Sequence, residues 1–163
     1  MVASAVFITD SSGKAIISRN YRGDVALSSA IDKFSRYLLE CDDKDRRPIF
    51  HISSDNSHDS SSSGAAGDSL GETYVYIQHN DLYLVAVTRR NSNATLLVTF
   101  LYKLAAVFSD YFGSLEEESI RDNFVIIYEL LDETMDHGMP QSLDSTILRS
   151  FITQEGNRSS NTF

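Results

Sequence analysis

The pentapeptide from Gly67 to Gly71, with the sequence Gly-Asp-Ser-Leu-Gly, contains the residue types of a hydrolytic site. It fits the G-x-S-x-G pattern, in which a serine on a strained turn between a strand and a helix attacks a carbonyl carbon. Here Ser69 lies in a stretch rich in serine and glycine, and Glu72 to Val75 indicate a strand where the pattern needs a helix. A serine hydrolase using Ser69 is therefore the disfavoured alternative, and we predict no catalytic residue.

The other chemically capable side chains do not have the spacing of a known site. No two of His51, His58, His79 and His137 are spaced to lie on one helix face or to join Cys41 in a zinc site. Neither the P-loop lysine pattern nor a dinucleotide glycine pattern occurs. We predict no metal and no cofactor.

Length and charge restrict the classes of partner. A chain of 163 residues suits one domain, and 23 acidic against 14 basic residues give a net charge of -9. This charge repels nucleic acid and anionic lipid surfaces, so we expect protein partners and no nucleic acid. The pairs Arg46-Arg47 and Arg89-Arg90 are interpreted as solvated charge at loops and strand ends.

Cysteine usage and hydropathy favour a reducing, cytosolic setting. Cys41 is the only cysteine, and residues 1–20 lack the pattern of a secretion signal. The most apolar segment, Leu96 to Phe112, is interrupted by polar residues and is shorter than the roughly 20 residues of a membrane span. We interpret it as a buried helix and expect no direct membrane insertion.

Two hairpins and one further strand are predicted. Val6 to Ile8 and Ala15 to Ile17 flank the turn residues Asp10 to Gly13, and Tyr74 to Ile77 and Leu82 to Val87 flank Asn80-Asp81. A fifth strand is predicted at Pro48 to Ser53. The strands are apolar on both sides of the pleat, which requires cover on both faces of the sheet.

Helices are predicted to supply that cover. Their ranges are Ser28 to Glu40, with Ile31, Phe34 and Leu38 on one stripe, Ser92 to Phe112, Ser114 to Pro140 and Asp144 to Ile152.

The segment from Ser114 to Pro140 carries a full set of helix signals. Ser114 and Glu117 form a capping box, and Glu116 to Glu118 place negative charge at the positive end of the helix dipole. Gly138 and Pro140 supply the stop. One apolar stripe is expected along this helix, formed by Ile120, Phe124, Ile127, Leu131 and Met135.

Residues 53–71 differ in composition from the rest of the chain. They are dominated by serine, aspartate, glycine and small residues, with too little apolar surface to offset ordering. We expect a flexible Ser-rich insertion at a hairpin end. Ser60 to Ser63 beside Asp59 motivate the hypothesis that it is phosphorylated.

Six segments of the chain have a distinctive wording. The longest is Glu116 to Glu133, with the sequence EEESIRDNFVIIYELLDE. The others are Ser4 to Phe7, Ser18 to Asp24, Ile77 to Ala86, Phe100 to Lys103 and Phe151 to Gly156. These segments closely resemble the medium (mu) subunits of clathrin adaptor complexes, in particular the type-one complex of the trans-Golgi network and endosomes.

The resemblance implies an α/β (α+β), longin-like fold: a five-stranded antiparallel sheet between one helix on one face and two long helices on the other. It places this domain at residues 1–156, with residues 157–163 as the start of a linker or tail. Cargo recognition belongs to a further domain of family members and does not transfer to these residues.

The resemblance also implies a function without catalysis. A domain of this kind assembles with a beta-type large adaptin in a heterotetramer that also holds a gamma-type large adaptin and a small sigma subunit. The complex sorts cargo into clathrin-coated vesicles, contacts clathrin indirectly, and is cytoplasmic and peripheral on trans-Golgi and endosome membranes. The alternative is another longin-type trafficking module, such as a small adaptor subunit or a vesicle-fusion regulatory domain.

For the partner interface we predict a set of aromatic and basic residues from several elements. They are Tyr21, Arg22, Tyr37, Tyr102, Tyr111 and Tyr128.

Overall fold

Five antiparallel strands form the central sheet of the computed structural model, which describes residues 3–53, 71–141 and 143–152. In chain order they are β1 (Ala5–Thr9), β2 (Ala15–Asn20), β3 (Ile49–Ile52), β4 (Glu72–His79) and β5 (Leu82–Thr88). Their order across the sheet is β2-β1-β5-β4-β3, so β2 and β3 are the edge strands. The five predicted strands and their antiparallel pairing are confirmed.

Both predicted hairpins are present, and their turn residues explain them. Between β1 and β2 the Asp10 carboxylate accepts hydrogen bonds from the backbone N–H groups of Ser12 and Lys14, each at 2.9 Å. Gly13 there has a φ of +85°. Between β4 and β5, Asn80 takes a φ of +52°, in the left-handed region that asparagine tolerates better than most residues.

Helices cover both faces of the sheet. The helices are α1 (Leu27–Glu40), α2 (Ala94–Phe112), α3 (Glu117–Asp122), α4 (Phe124–Thr134) and α5 (Ser145–Phe151). Successive strand residues point to opposite faces, so Phe7 and Val85 pack with Phe34 of α1, whereas Val6 and Leu84 pack with the layer of α2, α3 and α4. The predicted layers, with one helix on one face and helices on the other, are confirmed, but the second of the two long helices predicted for the other face is divided into α3 and α4.

An aromatic cluster fixes α1 on its face of the sheet. The Phe34 ring meets the rings of Phe7, Tyr76 and Tyr83 edge to face, at centroid distances of 5.8, 5.3 and 5.9 Å. Such edge-to-face pairs add to the gain from burial alone. Phe34 and Leu38 are buried as the helical stripe predicts, while Ile31 is half-buried.

The prediction of one helix from Ser114 to Pro140 was wrong. The first helical residue is Glu117, the residue before it is Glu116, and no side chain caps this end, so Ser114 is not the N-cap. The helix breaks at Asn123, with φ -119° and ψ 23°, where the side-chain amide donates to the Ser119 carbonyl at 2.8 Å. This bond supplies the Ser119 carbonyl with a side-chain donor at the place where α3 ends.

The C-terminal part of that predicted helix is a small hairpin. It consists of β6 (Met135–Asp136) and β7 (Met139–Pro140). His137 and Gly138 have φ values of +45° and +82°, the two positive angles of a type I′ turn. His137, which falls within the predicted helix, therefore lies in a turn, and Met135 belongs to a strand.

Among the described residues, α2 alone is long and apolar enough by length and composition to cross a membrane. Half of its most apolar window is buried within the fold. Leu97, Phe100, Leu101, Leu104 and Phe108 pack in the core on the sheet side, so core packing accounts for its composition.

Several predictions concern residues outside the described ranges. They are the body of the Ser-rich insertion, with Ser69, His58 and Ser60 to Ser63, and the tail at 157–163. The domain boundaries at 1–156 stay a prediction.

Candidate partner interface

The six residues predicted for the interface are spread over both faces of the sheet. Tyr21, Arg22 and Tyr128 lie at or near the seam where β2 meets α4, and Tyr102 lies on the outer face of α2. Tyr37 lies in α1 on the opposite face. Tyr111 lies near the end of α2. They do not form one continuous patch, and their interface role stays a prediction.

Tyr21 already has a structural task at the seam between β2 and α4. Its hydroxyl donates to the Leu131 carbonyl at 2.9 Å, and Arg19 pairs with Asp132 beside it at 2.7 Å. Burial, and secondarily the Asp132 charge, raise the pKa of the Tyr21 hydroxyl well above its usual range, so it remains a neutral donor. Arg22, next along the chain, pairs with Asp24 at 3.3 Å.

Tyr37 and Tyr111 are directed mainly into the fold. The Tyr37 ring stacks on Phe50 at 3.7 Å, and its hydroxyl accepts from the Arg47 backbone N–H at 2.7 Å. Tyr111 is 7% exposed, and the Arg149 guanidinium lies 5.5 Å from its ring centroid. Neither side chain leaves much area for a partner in this conformation.

Tyr102 is the most exposed of the predicted tyrosines, at 61%. It lines an open recess of about 720 Å³ with Val98 of the same helix and Pro48, just before β3. Its ring is thus available to a partner without rearrangement of the core.

Beside the predicted Tyr128, α4 exposes two apolar residues that were not among the predicted interface residues. Phe124 and Val125 are 56% and 42% exposed, and the half-buried Tyr128 follows one turn later. Residues three or four apart are neighbours on a helix surface, so Tyr128 lies beside both Val125 and Phe124, and the three side chains together are the α4 outer face (Phe124, Val125 and Tyr128). The predicted unbroken helix places Phe124 on its apolar stripe, and this placement is wrong because the helix breaks at Asn123. The low helix propensity of Asn123 was the one feature of the sequence that could have indicated a break in the helix at this position.

Two arginines interpreted as solvated charge have structural roles instead. The Arg46 guanidinium donates to the Leu38 and Cys41 carbonyls at 2.6 and 3.2 Å, which satisfies the C-terminus of α1. The Arg89 guanidinium donates to the Asp24 carbonyl at 2.8 Å. The earlier interpretation was wrong for these two because the sequence does not show which carbonyls lie within their reach.

The described part of the hydrolase pattern does not fit a nucleophile elbow. Gly71 leads directly into β4, an antiparallel strand, where the elbow requires a helix. In residues 3–53, 71–141 and 143–152, no group of three or more His, Cys, Asp or Glu side chains could hold a metal ion.

Comparison with known proteins gives consistent matches. The family model described as clathrin adaptor complex small chain matches residues 3–156. An AP-1 complex subunit mu from Dictyostelium discoideum is 51% identical over 96% of this chain and 32% of its own length. The AP-1 complex subunit mu-2 of Bos taurus is 50% identical over 97% of this chain and 33% of its own length. The AP-1 complex subunit mu-1-I of Saccharomyces cerevisiae is 48% identical over 94% of this chain and 29% of its own length. The chain spans about a third of the length of these curated relatives.

A structural comparison supports the fold alone. A chain from a homology model of the full-length AP-3 complex, in a stretched open conformation, matches with a TM-score of 0.63 and 12% identity. The match covers 93% of this chain and 90% of that one.

The five-stranded antiparallel sheet with helices on both faces defines a longin-like fold, a layered α–β–α arrangement. The chain belongs to the clathrin adaptor complex small-chain family.

Proposed function

We propose that the chain is the N-terminal longin-like domain of a medium (mu) subunit of the type-one clathrin adaptor complex. The observation that carries this proposal is the 51% identity over 96% of the chain to an AP-1 complex subunit mu. The domain works by assembly and has no catalytic residue. Its direct partner is a beta-type large adaptin, within a heterotetramer that includes a gamma-type large adaptin and a small sigma subunit.

The α4 outer face is the proposed centre of the contact with the beta-type adaptin. Aromatic side chains are enriched in the cores of protein interfaces, and Phe124 and Tyr128 provide two on one helix face. Tyr21 and Arg22 at the adjoining seam, and Tyr102 on α2, are proposed as further contacts. Tyr37 and Tyr111 contribute by holding α1 and α2 in place.

Assembly into a complex also explains how this acidic chain can be recruited to a membrane whose lipids repel it. With a net charge of -9 the chain itself is repelled by anionic lipid, so recruitment occurs through the other subunits. The proposed location is the cytoplasmic side of trans-Golgi and endosome membranes and of the clathrin-coated vesicles that form there. There the complex sorts cargo and contacts clathrin through its other parts.

Co-expression with adaptin trunks tests this proposal. The 163-residue chain is expressed with a beta-type trunk and, separately, with a gamma-type trunk, and each sample is passed over a size-exclusion column. We expect a stoichiometric pair with the beta-type trunk. Clean separation from it, or a stable pair with the gamma-type trunk alone, contradicts the proposal.

A further inference from the structure

A recess of about 410 Å³ lies where β3 ends, β4 begins, β5 ends and α2 starts. Its wall includes His51 and Thr73 from the sheet, Gly71 at the rim, and Arg89, Arg90 and Ser92 from the connection to α2. It is distinct from the α4 outer face and includes none of the six residues predicted for the interface.

The charge of this recess is opposite to that of the chain. Among the described residues no aspartate or glutamate lines it, although the chain carries 23 acidic residues. Two arginines and a histidine do line it. Within the described residues neither Arg89 nor Arg90 takes part in an ion pair. The recess therefore offers positive charge that no carboxylate of the described fold neutralises.

Hydrogen bonds hold the Arg89 side chain and the Arg90 backbone at this recess. The Arg89 guanidinium is held at one end by the Asp24 carbonyl at 2.8 Å. The backbone of Arg90 is fixed by the Thr88 hydroxyl, which donates to the Arg90 carbonyl at 3.1 Å and accepts from its N–H at 3.3 Å. The Arg90 side chain is exposed at the mouth of the recess, where it can reach a ligand.

The Ser92 hydroxyl and the N-terminus of α2 add uncharged hydrogen-bond donors to the two arginines of the recess. The Ser92 Oγ atom is buried and has no hydrogen-bond partner in the described structure, a state that costs free energy unless a ligand or water relieves it. The 19-residue helix α2 begins at Ala94, so the positive end of its dipole lies at the same recess. Arginines, a free hydroxyl and a helix N-terminus together form a favourable environment for a tetrahedral oxyanion.

We propose that this recess binds a phosphate group carried by a phosphorylated peptide. A peptide fits better than a lipid headgroup because His51 lies on β3, an edge strand whose outer side pairs with no strand of the described fold. An extended peptide can add to such an edge. A lipid headgroup is also disfavoured because the net charge of -9 on the chain repels a bilayer rich in anionic lipid.

The test titrates the 163-residue chain with two probes, inorganic phosphate and a capped phosphoserine pentapeptide, monitored by amide NMR and calorimetry. The variants are Arg90→Gln and Ser92→Ala. Arg47→Gln is the matched control, because it removes the same charge from an exposed arginine that does not line the recess. Unchanged thermal unfolding of each variant shows that the fold is retained.

We expect saturable shifts at the amides of residues 89–92 with both probes and none with the unphosphorylated pentapeptide. Arg90→Gln should weaken binding about tenfold and Ser92→Ala about threefold, because each removes a donor to the oxyanion. Arg47→Gln should change it by less than about twofold, since exposed distant charges are screened. Equal losses in Arg90→Gln and Arg47→Gln, absence of saturable shifts, or binding to phosphoinositide vesicles without binding to the peptide would overturn the inference.

Discussion

Gly13 and Gly23 have similar backbone angles but different surroundings. Comparing them separates the cost of a left-handed backbone angle from the cost of a steric clash with a neighbouring element. Gly13 and Gly23 have φ values of +85° and +71°. A Cβ atom on Gly13 would lie 2.9 Å from the Cα atom of Ser35 in α1, whereas a Cβ on Gly23 would meet nothing within 4 Å. Gly13 is therefore needed for both its angle and its contact with α1.

Replacement of each glycine by alanine tests this reading. Gly23→Ala should lower the free energy of unfolding by about 1–2 kcal/mol, the cost of a left-handed angle for an L residue. Gly13→Ala should add a further loss of about 1–3 kcal/mol from overpacking against α1. Urea denaturation measures both values. Equal losses would show that the β1–β2 turn does not depend on close contact with α1.

Asp10 makes the stability of the same turn depend on pH. Partial burial raises the pKa of its carboxyl group, but hydrogen bonds from Ser12 and Lys14 together outweigh that effect and lower the pKa below 3.8. A carboxyl group with a lower pKa in the folded state stabilises the fold above the unfolded-state pKa. That contribution is lost as the pH falls through the folded-state value.

The prediction compares Asp10→Asn with the unaltered chain across pH. The unaltered chain should be more stable at neutral pH, and the difference should shrink as the pH falls below about 3.8, because protonation then removes the same charge that the substitution removes. Urea midpoints measured from pH 7 to pH 2.5 give the comparison. A difference that is constant over this range would rule out the assigned role of the carboxylate.

At the scale of elements, local signals predicted most of the fold. The turn residues Asp10 to Gly13 and Asn80-Asp81 identified both hairpins, and the apolar stripe of Phe34 and Leu38 identified α1. The break at Asn123 was not predicted, because the apolar spacing continues across it from Ile120 to Ile127. The break depends on a side-chain bond to the Ser119 carbonyl in a buried setting, which periodicity does not report.

Asn123→Ala tests the role of that break. The substitution removes the bond to the Ser119 carbonyl at a site that is 4% exposed, and we expect a loss of about 1–3 kcal/mol in the free energy of unfolding. Asp122→Ala is the neighbouring control on an exposed residue, for which we expect a change within about 0.5 kcal/mol. If the two variants were equally stable, the Asn123 side chain would not determine where α3 ends.

At the scale of the whole molecule, residue type alone could not locate a partner surface. Tyrosine is common in protein interfaces and was therefore used to predict interface residues. However, Tyr37 and Tyr111 pack mainly inside the fold, while Tyr102 and Tyr128 are at least partly exposed to solvent. The exposure of Phe124 and Val125 follows from how α4 packs through Ile127 and Leu130, which is a property of the assembled layers. By contrast, the cover on both faces of the sheet could be predicted from the sequence, because the strands carry apolar residues on both sides of the pleat.

The most direct test of the proposed function is the affinity of the purified chain for a beta-type adaptin trunk. We predict tight binding by the unaltered chain and a loss of at least about 30-fold for the Phe124→Ser, Val125→Ser double variant, as expected of an interface hot spot. Leu39→Ser, which alters an 82% exposed leucine on the opposite layer, should bind as the unaltered chain does. No binding by the unaltered chain would contradict assembly with this partner, and an equal loss in Leu39→Ser would contradict the α4 outer face as its site.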